Sequence, residues 1–172
     1  MKKLILGIIT ATFFATGYIN AQQLSKNDVF DVLSKWEGKW KNSVVFEESV
    51  WVPKSFETRG ITDSKLILSN NYIEMTAYSG SETNKHIVCY DQNSNQFNRW
   101  EFKSDGTNTF WTGRWNQEGS TMTWSYIDFS STGISGEIIE KFKSDEIINV
   151  KVIMKDKNGK QLLLITSKAQ KI

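Results

Sequence analysis

From Trp40 onward the chain alternates runs of β-branched and aromatic residues with short clusters of Asn, Asp, Ser and Gly. This texture predicts nine or ten strands, at about 40–51, 56–68, 71–79, 85–91, 97–103, 108–116, 121–129, 135–143, 146–156 and 161–168. The breaks carry turn chemistry: Asn70-Asn71, Ser79-Gly80-Ser81, Asn93-Ser94-Asn95, Asp105-Gly106, Glu118-Gly119, Thr132-Gly133, Asp145 and Asn158-Gly159. Asn-Gly and Asp-Gly tolerate the positive φ of tight hairpins, so neighbouring strands should be antiparallel. Pro53 is the single proline, as a chain of long ladders requires. Ahead of the strands, Ser25-Lys26-Asn27-Asp28 can cap a helix, with Asp28 in the first turn. Val29, Val32, Leu33 and Trp36 then form one apolar helical face, and Gly38 is placed to end it. With no long helices between the strands, two all-β architectures remain, an up-and-down barrel or a two-sheet sandwich. The meander favours the antiparallel barrel, because closure removes exposed edges.

The first 21 residues read differently. Lys2 and Lys3 precede an apolar run over 4–15, and Ala21 stands before Gln22. A basic start, a short apolar stretch and a small residue before the cut describe a secretory signal peptide; a membrane span needs about 20 apolar residues. Ile19 is bulkier than the residue usual at that position, and the alternative is an anchor that stays uncut. The expectation is an exported protein, periplasmic or extracellular, with residues 1–21 removed and 22–172 forming one domain. Cys89 lies too far away to become a lipid-anchored cysteine after cleavage.

Export changes the charge balance. The precursor carries a formal +2, and removal of Lys2 and Lys3 leaves 19 basic residues against 19 acidic ones. A neutral chain with basic and acidic residues mixed over 140–171 has no nucleic-acid footprint. One Cys excludes a disulfide within one copy, and one Cys with one His excludes the Cys/His zinc patterns, so neither metal nor cofactor is expected.

Seven Trp, ten Phe and five Tyr are the chemically distinctive feature. By alternation Trp100 and Phe102 share a face with Asn98. Trp111, Gly113 and Trp115 lie opposite Phe110, Thr112 and Arg114, and Met122, Trp124 and Tyr126 share a face that ends in Asp128. Both faces of several strands therefore carry large groups. A barrel accommodates this either with an interior that holds a small hydrophobic or amphipathic ligand, or with a core those rings simply fill. Tyr72, Glu74, Tyr90, Arg99, Glu101, Arg114, Tyr126, Asp128 and Glu140 are the polar groups interleaved with the aromatics. The candidate ligand-binding set is Trp100, Trp111, Arg114, Trp124, Tyr126, Tyr72 and Glu74. Arg114, between Gly113 and Trp115, needs a carboxylate or a π-face if it points inward; as a surface residue it could stack over an exposed tryptophan.

Catalytic signatures are scarce. His86 is the single His, and Cys89 lies three residues later on a strand, where i and i+3 face opposite ways. There is no G-x-S-x-G elbow and no glycine-rich phosphate loop, and no spacing singles out a pair of carboxylates. Haem on His86 is disfavoured, since a lone strand histidine is more often structural. An enzyme would require at least two of Tyr72, Glu74, Arg114, Tyr126 and Glu140 to converge in a pocket. A structural or protein-interaction barrel would instead show a solid core and an exposed apolar patch.

Trp36-Glu37-Gly38-Lys39-Trp40, directly after the short helix, resembles the W-x-G-x-W opening of lipocalin-like barrels. Tyr90-Asp91, Trp100-Glu101-Phe102 with Ser104-Asp105-Gly106, Gly113-Arg114-Trp115 and a closing strand to Thr166-Ser167-Lys168 follow in an order that resembles a family of exported bacterial lipocalin-like proteins defined as a domain of unknown function. The likeness covers about residues 28–168. It implies an eight- to ten-stranded antiparallel barrel with an internal pocket, with Trp36, Gly38 and Trp40 as its structural signature, and it implies no reaction. It also implies that Trp40 packs at the closed end under a basic residue from a late strand. Lys168 is the candidate, where lipocalins use Arg. Fatty-acid-binding and haem-binding barrels are the neighbouring readings, and the second wants a His near the C-terminus that this chain lacks.

Overall fold

A computed structural model describes residues 23–172. The stretch read as a signal peptide lies outside the described residues. The chain forms one helix, α1 (Lys26–Ser34), and ten strands: β1 (Gly38–Phe46), β2 (Phe56–Ile67), β3 (Tyr72–Ser79), β4 (Glu82–Asp91), β5 (Gln96–Lys103), β6 (Asn108–Asn116), β7 (Thr121–Tyr126), β8 (Ser135–Ser144), β9 (Ile147–Lys155) and β10 (Gln161–Lys171). Each strand pairs antiparallel with its neighbours in sequence, and β1 pairs with β10, so the sheet closes into an up-and-down barrel. The sandwich alternative is thereby removed.

The predicted helix start is realised as a capping box: the Ser25 hydroxyl accepts from Asp28 N–H, and the Asp28 carboxylate accepts from Ser25 N–H. The helix stops at Ser34 and not at Gly38. Gly38 instead opens β1 at φ +113°, where a Cβ would also stand 2.6 Å from Cε of Lys171. The backbone angle demands glycine here, whereas the flexible end of Lys171 could move aside.

Four strand boundaries move by three residues or more; β4 begins at Glu82, ahead of the expected 85. β1 ends at Phe46 because Ser49 and Val52 exchange backbone hydrogen bonds in a turn, after which Trp51 N–H reaches Leu162 C=O on β10. β7 ends at Tyr126 because Asp128 gathers the following loop, its Oδ2 accepting from Thr132 Oγ1 and from the N–H groups of Gly133 and Ile134. β10 continues past Lys168 to Lys171.

The barrel is filled at the α1 end and open at the other. Val32 and Leu33 of α1 plug the filled end, joined by Trp36, Trp40, Phe97, Met122, Trp124, Phe142 and Ile148. Trp124 on β7 is fully buried and lies flat across Gly113 of β6, its register partner; a Cβ at 113 would stand 2.4 Å from the indole. Burying several aromatic rings here, each covering some 150–250 Å², is the main apolar stabilisation.

Candidate functional site

Toward the open end the inward-facing residues of β5 are charged: Arg99, Glu101 and Lys103 succeed one another on one face. A cavity of about 340 Å³ stands above them. Its polar side is Arg99, Glu101, Lys103 and Thr109, with Tyr126 beside them; its apolar side is built by Trp51, Trp111, Ile134, Ile138, Val152, Met154, Leu163 and Ile165.

Arg99 is held on three sides. Its Nη1 donates to Glu140 Oε1 on β8 at 2.9 Å, its Nη2 to His86 Nδ1 on β4 at 3.0 Å, and its guanidinium lies 5.7 Å from the Trp124 ring. The other oxygen of Glu140 accepts from Trp36 Nε1 at 3.0 Å. A hydrogen-bonded chain thus runs from the segment following α1, through the barrel core, to the cavity. Because Arg99 can only donate, His86 Nδ1 accepts and the ring proton sits on Nε2. Burial, with the Arg99 charge beside it, pushes the His86 pKa down to about 3 against the opposing pull of Glu101. The ring is neutral at ordinary pH.

A second chain fixes Glu101. Trp111 Nε1 donates to Thr109 Oγ1 at 3.0 Å, and the Thr109 hydroxyl donates to Glu101 Oε2 at 2.9 Å. Burial disfavours the Glu101 anion, but the Arg99 and Lys103 charges, together with the Thr109 hydroxyl, outweigh it and hold this carboxyl below the usual glutamate value.

Below the Arg99–Glu140 pair lies a smaller space of about 100 Å³, lined by Trp36, Trp40, Asn42, Thr62, Ser64, Glu140 and apolar groups of β9 and β10. Two larger clefts are outside the barrel. One, about 530 Å³, lies beside α1 among Asp28, Asp31, Lys35, Asp145 and Lys171. The other, about 490 Å³, lies along Arg59, Ile61, Asp63 and Tyr78. Neither combines an apolar wall with buried charge as the barrel cavity does.

Of the seven candidate ligand residues, Trp111 and Tyr126 line the cavity, and Trp124 lies beneath it against Arg99. The other four are placed differently. Trp100 packs on Phe110 on the outer face, 5.1 Å between ring centroids. Arg114 is an exposed outer residue, so the buried guanidinium is that of Arg99. Tyr72 and Glu74 alternate with buried Ile73 and Met75 and so face outward, and Glu74 pairs with Lys65 and Lys85 at 3.4 and 3.3 Å. Strand parity groups such residues but does not say which group is inside. Trp51, Lys103 and Thr109 carry no signal of their own in the sequence.

His86 and Cys89 do face opposite sides: His86 is buried inside, while burial and Asp91 push the Cys89 thiol up, away from thiolate character. The basic residue over Trp40 is Lys171, whose Nζ lies 5.4 Å from the ring and whose register partner is Trp40 itself. Lys168 is exposed, opposite Ser43, one residue out of phase with buried Ala169.

No family model matches the chain, and no curated protein sequence does. Solved structures do. Rv2717c from M. tuberculosis superposes with a TM-score of 0.63 at 7% identity, covering 84% of this chain and 97% of that one. The S-type phycobiliprotein lyase CPES from Guillardia theta superposes with a TM-score of 0.54 at 13% identity, covering 83% and 91%. The fold is a lipocalin-like barrel. At these identities the likeness speaks for the fold alone. Among the described residues no helix is long and apolar enough to cross a membrane, and no group of three or more His, Cys, Asp or Glu could hold a metal ion.

Proposed function

We propose that the protein is an exported lipocalin-like carrier that binds a small amphipathic molecule at the open end of its barrel. The observation that carries this reading is the 340 Å³ cavity, with a continuous apolar and aromatic wall facing one charged strand. Its size falls in the range of about 300–1,000 Å³ usual for small-molecule sites, and a few fixed polar groups against apolar lining are what orient such ligands. The phycobiliprotein lyase is a barrel of the same architecture, which is compatible with small-molecule chemistry in this fold but assigns none to this chain. The order of motifs supports membership of the exported bacterial lipocalin-like family of unknown function, and the basic and apolar N-terminus supports export to the periplasm or beyond.

Trp51 and Trp111 line the cavity and make binding visible by tryptophan fluorescence. Titration with amphipathic compounds should shift the emission saturably, and Leu163→Trp, which places a ring in the cavity, should abolish the response. A saturable response that survives Leu163→Trp places the ligand elsewhere and overturns the reading. N-terminal sequencing of the mature protein should begin at Gln22.

One observation favours a second reading, an interaction barrel. Trp100, Phe110 and Phe129 form a continuous outer aromatic row, and Phe129 is 75% exposed. No reaction is proposed. Of Tyr72, Glu74, Arg114, Tyr126 and Glu140, only Tyr126 and Glu140 face inward, and they line different cavities.

A further inference from the structure

We infer that the molecule taken by this cavity ends in an uncharged carboxamide, its C=O accepting from Arg99 Nε and its N–H donating to Glu101. The inference rests on the cavity being a ligand site.

Two groups on the charged wall keep unused hydrogen-bonding capacity, and they are of opposite kind. Arg99 spends Nη1 on Glu140 and Nη2 on His86, while its Nε is buried with no partner. A guanidinium N–H only donates, so a group that meets Nε accepts. Two positions further along the same face of β5, Glu101 takes the Thr109 hydroxyl proton on Oε2, and Oε1 accepts from none of the described residues. An ionised carboxylate only accepts, so a group that meets Oε1 donates. A ligand that fits this wall does both. The Tyr126 hydroxyl beside them can do either and favours neither.

Charge decides which ligand groups suit such a wall. Arg99 is matched by Glu140 at 2.9 Å, whereas neither Glu101 nor Lys103 has an ion pair among the described residues. Glu101 and Lys103 therefore leave the wall with no net charge. A carboxylate gains Arg99 Nε and Lys103 but comes against Glu101, which lies between them on the strand. An ammonium gains Glu101 but comes against Arg99 and Lys103. Either ion also gives up its hydration, and a zwitterion gives up that of two charges. A carboxamide carries donor and acceptor on two atoms of one group and has no charge to desolvate. Both of its hydrogen bonds are still charge-assisted, because the protein supplies the charge. The wall of Trp111, Ile138, Val152 and Leu163 takes the apolar body.

Calorimetric titration of the full barrel with phenylbutanamide, methyl phenylbutyrate, phenylbutyrate and phenylbutylamine tests this, since the four share an apolar body and differ at the polar end. The amide should bind at least about tenfold tighter than the ester, which keeps the carbonyl and lacks the N–H. Both ions should bind more weakly than the amide. Glu101→Gln should improve the carboxylate relative to the amide, and Lys103→Met should improve the amine relative to the amide, each by at least about threefold. Tighter binding of either ion than of the amide by the natural protein overturns the inference. So does a ratio of amine to amide that Lys103→Met leaves unmoved. If Glu101→Gln does not fold, Lys103→Met, at an exposed position, decides together with the natural protein. Equal binding of amide and ester removes this inference and leaves the cavity reading standing; no binding by any of the four removes both.

Discussion

Arg99 and Glu140 meet across the barrel interior at 2.9 Å, with only 11% and 8% of their side chains exposed. They come from β5 and β8, and no other ion pair among the described residues is as enclosed. Desolvating both charges costs several kcal/mol, which their attraction offsets only while both are present. Glu140→Ala should therefore cost about 3–5 kcal/mol of stability, because it strands the Arg99 charge and leaves Trp36 Nε1 unpaired. The double change Arg99→Met with Glu140→Met should cost clearly less than Glu140→Ala. Urea unfolding of the single and double variants measures the difference. A double variant as unstable as the single one would mean that the pair contributes through packing and not through charge.

The close approach of Trp124 to Gly113 makes a sharper packing test. The indole is fully buried and the nearest ring atom would stand 2.4 Å from a new Cβ, so neither partner has room to give. Gly113→Ala should destabilise by about 1–3 kcal/mol through overpacking. Gly106→Ala, at an open turn where nothing lies within 4 Å, meets no such clash and carries only the strain of its φ of +86°. If the shift in urea midpoint for Gly113→Ala does not exceed that for Gly106→Ala, the contact with Trp124 is not the constraint.

All ten strands could be placed from the sequence, because each hairpin carries its own local turn residues and the runs between them are β-branched and aromatic. The helix start was equally local, a Ser and an Asp three residues apart. Alternation put Trp111, Gly113 and Trp115 on one face of β6, but parity alone did not say that this face is the inner surface. The inner surface was equally illegible on β5, where Arg99, Glu101 and Lys103 face inward and Trp100 and Phe102 face out, the reverse of the usual preference. What permits that inversion is nonlocal: Glu140 lies 41 residues after Arg99, and Trp36 lies 104 residues before Glu140. No spacing rule connects residues that meet only when the barrel closes.

Lys171 and Lys168 separate a contact from a resemblance. Lys171 lies over Trp40 and its chain covers Gly38, whereas Lys168 points into solvent. Lys171→Ala should cost about 0.5–1 kcal/mol, the value of an exposed cation–π contact. Lys168→Ala should stay within about 0.5 kcal/mol of the unaltered protein. Thermal or urea unfolding of the two variants side by side is sufficient, and the opposite ranking would restore Lys168 as the partner of Trp40.

His86 should make the barrel acid-sensitive before its carboxylates begin to titrate. Its ordinary pKa of 6.5 applies in the unfolded chain, and in the folded barrel burial and Arg99 lower it to about 3. Between those two values the unfolded state binds a proton that the folded state refuses, so stability falls as pH falls through that window. The loss from this one group is roughly 1 kcal/mol per pH unit. Glu101, also lowered in the folded state, adds to the loss only further down, in the carboxylate range. Comparing urea midpoints at about pH 7.5 and about pH 5 isolates the histidine, because most carboxylates stay ionised over that interval. His86→Gln keeps a carbonyl acceptor for Arg99 and has no proton to take up, so its midpoint should change less between the two conditions than that of the natural protein. An equal change in both would place the acid sensitivity elsewhere in the barrel.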